Sequence, residues 1–146
     1  MADNHDQEFL GSQFALEIEG VELARFTEVS GLAWETEIVE YKDTLKNGKV
    51  ITRKRPGQTS FGDVVLKRGL SGDRALTDWQ QTVMDGKVER KNGSVVVYDM
   101  AGGEVDRWNF ERGWPSKWSA SDLNAGSDDV MIEELTIAIE HLERKK

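Results

Sequence analysis

The sequence predicts a mostly β domain, barrel-like or sandwich-like, with one flanking α-helix. Three observations predict it. Short stretches of alternating apolar and polar residues recur along the chain, glycine-centred turns separate them, and a single segment carries the 3.6-residue period of an amphipathic helix. At 146 residues the chain is long enough for one domain with a real core. The reading places that domain at 13–146, after a flexible N-terminal segment at 1–12, and gives it a long loop at 42–59.

Phe14-Ala15-Leu16-Glu17-Ile18 alternates as a half-buried strand does, and Glu19-Gly20 offers a turn into Val21-Glu22-Leu23, so the pair reads as a hairpin. Ser30-Gly31 breaks the next stretch. From Trp34 to Tyr41 the pattern is again strand-like, with Trp34, Thr36 and Ile38 on one face and Glu35, Glu37, Val39 and Tyr41 on the other. Residues 42–60 carry two turn dipeptides, Asn47-Gly48 and Pro56-Gly57, around Lys49-Val50-Ile51-Thr52; they read as a small hairpin or a long excursion. Phe61 to Lys67 returns to strand, closed by Gly69.

The helix is expected from about Arg74 to Asp85. Ser71 or Asp73 would cap its start and Gly86 its end, and Leu76, Trp79, Gln80 and Val83 form a stripe able to cover an open end or face of the sheet. Strands follow at Ser94–Tyr98, at Glu104–Phe110 after the Ala101-Gly102-Gly103 turn, and at Val130–His141, where Leu135, Ile137 and Ile139 share a face.

The net charge is −8, which argues against a general nucleic-acid coat. The charge is unevenly placed. Residues 1–40 carry −9 and residues 60–146 carry −4, whereas 41–59 carry +5 from Lys42, Lys46, Lys49, Arg53, Lys54 and Arg55 against Asp43. The chain has no cysteine, which removes disulfides and thiolate chemistry. No apolar run reaches the roughly 18 residues of a membrane span, and Met1–Glu8 is polar and acidic, unlike a secretory signal. Cytoplasmic synthesis is the expectation.

No catalytic, metal or cofactor site is expected. His5 and His141 stand at opposite ends of the chain with no cysteine to complete a metal set. The pairs Asp128-Asp129 and Glu133-Glu134 resemble general acid/base carboxylates only on paper, because neighbours on a strand point to opposite faces. Gly69-Leu70-Ser71-Gly72-Asp73 lacks the ending of a phosphate-binding loop, and Ser30, Ser116 and Ser119 lack an activating histidine context. Trp108, Trp114 and Trp118, beside Phe110, would offer an aromatic face to a soluble monomeric binding module, the alternative reading.

One ordered series of short motifs spans residues 14–141. It comprises Glu28-Val29-Ser30-Gly31-Leu32, Glu35 to Tyr41, Lys54-Arg55-Pro56-Gly57, Leu66-Lys67-Arg68-Gly69 and the helix with Trp79. Trp114-Pro115-Ser116-Lys117-Trp118, Asp122-Leu123-Asn124-Ala125, Val130 to Leu135 and Glu140-His141 complete it. In this order the series resembles the tail-tube proteins of contractile phages and the inner-tube proteins of contractile injection systems. Two departures are Asp128-Asp129 where the family often has Asn-Glu just before the last strand, and the missing glycine usual after the late His-Glu, since His141 is followed by Leu142-Glu143-Arg144.

The resemblance implies an Hcp-like tail-tube fold and a structural role: hexameric rings stacked head to tail into a hollow conduit. The implied partners are other copies of the chain, a sheath, baseplate or initiator and terminator proteins, and cargo DNA or protein effector in the lumen. It also implies that the loop at 42–59 reaches the adjacent ring. On that basis Lys42, Lys46, Lys49, Arg53, Lys54 and Arg55 are expected at an inter-ring interface, and Glu35, Glu37, Glu134 and Glu140 along the channel.

Overall fold

The computed structural model describes residues 13–69, 74–121 and 131–145. The N-terminal segment 1–12, the capping candidates Ser71 and Asp73, Asp122 to Ala125 and the pair Asp128-Asp129 lie outside the described residues. Among those described, the elements are β1 (Gln13–Ile18), β2 (Val21–Phe26), β3 (Glu28–Ser30), β4 (Trp34–Thr44), β5 (Val50–Phe61) and β6 (Val64–Gly69). They continue with helix α1 (Ala75–Met84), β7 (Lys91–Tyr98), β8 (Glu104–Ala120), β9 (Ile132–Ala138) and β10 (His141–Arg144). No helix of the described residues is long and apolar enough to cross a membrane.

Eight strands form one antiparallel sheet in the order β2-β1-β7-β8-β9-β6-β3, with β10 also paired to β8. Only Thr27 separates β2 from β3, so the two ends of this order are successive pieces of one chain stretch and the sheet closes into a barrel. β9 and β10 behave in the same way. Trp114 faces Ala138, Glu111 faces His141 and Trp108 faces Arg144, a single register, so β9 and β10 lie along β8 as one strand interrupted at Ile139-Glu140.

The first hairpin forms where expected. Glu19 and Gly20 both take positive φ (52° and 84°), the geometry a two-residue turn needs to match strand twist. Leu16, Phe26, Leu66, Val95, Phe110, Leu135 and Ile137 fill the interior. Phe110 is 1% exposed, and room for its ring comes from two glycines: a Cβ on Gly93 or Gly113 would lie 2.6 or 2.5 Å from it.

Helix α1 buries Leu76 and Trp79 against the barrel and donates the Trp79 indole N–H to the Glu89 carbonyl. Its end is a Schellman cap. Gly86, at φ 78°, donates to Val83 and Lys87 donates to Thr82, satisfying carbonyls the helix leaves open.

Two stretches differ from expectation. β8 does not stop at Phe110 but continues to Ala120 through Gly113 and Pro115, residues that read as a break. It survives by bending: Arg112 takes φ 54°, Asn92 Oδ1 accepts its N–H, and the ladders shift register around Gly113 and Pro115. The stretch read as a long loop at 42–59 is largely strand. β4 and β5 pair from Trp34–Phe61 to Thr44–Val50 as a separate two-stranded ribbon, with the turn confined to Leu45–Lys49 around Asn47-Gly48. Pro56-Gly57 is a bulge inside β5, not a turn. A two-stranded ribbon has a free edge on each strand, where proline is tolerated.

Candidate functional site

The ribbon β4–β5 is the feature around which the candidate residues gather. Eleven residues at about 3.3 Å each make it about 35 Å long. Among the described residues it meets the barrel essentially at its root. There Gly62 donates to the Ala33 carbonyl, and Phe61 meets His141 edge-on at 5.0 Å. Gly31 takes φ 82°, and a Cβ there would lie 1.9 Å from the Asp63 carbonyl oxygen, so the root requires glycine.

All six expected inter-ring cations fall on the distal half of this arm, but not as one patch. Alternation and register put Lys42 and Lys54 on one face, Arg53 and Arg55 on the other, and Lys46 and Lys49 in the turn. Arg53 bonds Asp43 at 2.7 Å and Lys42 bonds the Thr52 hydroxyl at 2.9 Å. Acids gather nearer the root, at Glu35, Glu37 and Glu40, and Glu40 faces Lys54 across the ladder.

The four expected channel carboxylates are not brought together. Glu35 and Glu37 lie exposed on the arm, Glu134 on β9 and Glu140 before β10. Lys67 lies 4.0 Å from Glu134, and Arg112 pairs with Glu140.

The tryptophans do not make a single ligand face. Trp108 packs partly buried against the core with the Arg144 guanidinium over its ring, and Trp114 is partly buried. Trp118 is 47% exposed, ten residues or about 30 Å of strand beyond Trp108. Its indole N–H donates to Glu133, which is itself buried and paired with buried Arg68, and Arg68 stacks on Phe26. Sequence reading missed this pair, which is 65 residues apart and visible only once β6 and β9 are aligned.

On the outer side of β1, β7 and β8, Arg107 bonds Glu104 at 2.7 Å and grips both oxygens of Glu17 at 3.2 and 3.1 Å. The Glu104 bond first, then Glu17, raises the Arg107 pKa above its ordinary value, so it stays cationic throughout. These are structural ion pairs; Arg107 also borders an open depression with Ser94, whose hydroxyl bonds Asn109 and not a histidine.

Comparison with known proteins agrees with this architecture. Residues 11–143 match the family described as T4-like virus tail tube protein gp19. No curated protein matches the chain. A chain of an extracellular contractile injection system, the PVC sheath-tube complex in the extended state, superposes with TM-score 0.74 at 25% identity, over 90% of this chain and 87% of that one. A chain of the PVC sheath/tube terminator gives 0.74 at 24%, over 91% and 93%. Hcp1 from Flavobacterium johnsoniae gives 0.52 at 19%, over 90% and 93%, a likeness of fold.

Proposed function

The chain belongs to the T4-like tail tube family, and we propose that it acts as the inner-tube protomer of a contractile phage tail or phage-tail-like particle. Its role is structural, not enzymatic. Copies join into hexameric rings, and the rings stack head to tail into a conduit. The observation that carries this reading is the family match over nearly the whole chain, in a molecule that pairs a closed barrel with a long arm exposed on both faces. Such an arm is a marginal structure alone and gains from a partner surface. Purified protein should form rings or rods in negative-stain micrographs and elute above monomer size; a strict monomer at high concentration would refute the reading.

Similarity to chains from sheath-tube and terminator assemblies supports a sheath and terminator as partners, and a baseplate or initiator protein as the point of initiation belongs to the same proposal. Cargo in the lumen, DNA or protein, and assembly in the cytoplasm after synthesis there belong to the same proposal.

Within that frame, the charges that dock the arm on acidic groups of the next ring are drawn from the distal cations Lys42, Lys46, Lys49, Arg53, Lys54 and Arg55, since the rest of the chain is strongly acidic. Charge reversal at Arg53, Lys54 and Arg55 should shorten or abolish tubes; tubes of normal length and salt resistance would argue against it. Glu35, Glu37, Glu134 and Glu140 are proposed to repel anionic cargo from the wall, an idea that an assembled structure placing most of them outside would dispose of.

A further inference from the structure

The two faces of the arm differ in kind. On one, Trp34, Ile38 and Val50 are 65%, 62% and 58% exposed, in line with Thr36, Thr59, Thr52 and Pro56. The charges there are Glu40 and Lys54, opposite one another, and Lys42. The other face carries Glu35, Glu37, Tyr41, Asp43, Arg53 and Arg55. Its Arg53 is already engaged by Asp43, its aliphatic members Val39 and Ile51 are partly covered, and its one large exposed side chain, Tyr41 at 46%, carries a hydroxyl. A groove of about 380 Å³ opens at the root, lined by Ala33, Trp34, Glu35, Ser60, Phe61 and Gly62.

We propose that the Trp34–Ile38–Val50 face is the side of the arm that a second copy of this chain covers on assembly, while the Tyr41–Arg53–Arg55 face stays against water. The inference rests on the tube reading and goes beyond it by separating the cations: Lys42 and Lys54 belong to the docking face, Arg53 and Arg55 do not. The occupant is another copy because of charge. The docking face carries one net positive charge and ends in a turn with Lys46 and Lys49, whereas the chain outside 41–59 totals −13. Large apolar side chains exposed in line on a freestanding ribbon are the usual centre of a packed interface, and a face of mixed, internally paired charge is the usual solvated side.

The absence of cysteine makes the test direct. Single variants Ile38→Cys and Tyr41→Cys are labelled with a maleimide before and after assembly. Unassembled, both should react at similar rates. In tubes, Ile38→Cys should slow by about tenfold or more while Tyr41→Cys changes by less than about threefold. Ile38→Asp should prevent tubes while leaving the melting of the monomer unchanged. Equal reactivity of Ile38→Cys before and after assembly, protection of Tyr41→Cys instead, or normal tubes from Ile38→Asp would overturn the assignment while leaving the tube reading intact. Failure of the unaltered chain to assemble would overturn both.

Discussion

The barrel and the arm are built from similar strands by opposite rules. In the barrel each strand gives at least one face to a shared interior, and Leu16, Val64, Leu66, Val95 and Ile137 are wholly removed from water. In the arm no residue from Trp34 to Ser60 is fully buried. Its stability comes from cross-strand bonds such as Thr36–Thr59 and Arg53–Asp43, contacts worth only about 0.2–1 kcal/mol each. The difference teaches which part folds for itself and which part is made for something else. A side chain in the barrel answers to stability, and one on the arm is left free for the assembly role proposed above.

The largest expected effects test the barrel. Phe110→Ala should cost about 3–5 kcal/mol by urea denaturation, because the ring fills space that Gly93 and Gly113 leave for it. Arg68→Met should cost a similar 3–5 kcal/mol, roughly, by stranding Glu133 as a buried charge. The double variant Arg68→Met with Glu133→Leu should recover most of that loss; no recovery would mean the pair is not the operative contact.

Smaller effects follow. Gly113→Ala should cost about 1–3 kcal/mol from overpacking against Phe110 and Ile137, read as a lower melting temperature. Ile38→Thr on the arm should change the unfolding free energy from urea denaturation by no more than about 0.5 kcal/mol. A barrel-sized loss there would erase the distinction between the two regions. The finest measure is native-state hydrogen exchange on unassembled protein: arm amides should exchange by local opening, while β7 amides exchange only with global unfolding.

Much of this was legible in the amino acids. Alternation located β1, β2, β7 and the start of β8, the stripe from Leu76 to Val83 located the helix, and Asn47-Gly48 located the tip of the arm. The arm's length was hidden because neither face of residues 42–60 repeats apolar residues with a period of two, and periodicity reports burial that this ribbon lacks. The second half of β8 was hidden because Gly113 and Pro115 signal a break, and only tertiary pairing with β9 overrides them. The tryptophan face failed because proximity along a strand was read as proximity on a surface. The cations at 42–55 were found, but their division between two faces depends on the Thr36–Ile38 bulge and the ladder beyond it.

The register that β9 and β10 share along β8 from Trp108 to Pro115 has a mechanical meaning. A pull along that strand direction strains many ladder bonds together in shear, whereas peeling from one end would break them in turn. Load applied in that direction would be shared along the β8 ladder, and His141–Arg144 serves to lengthen it.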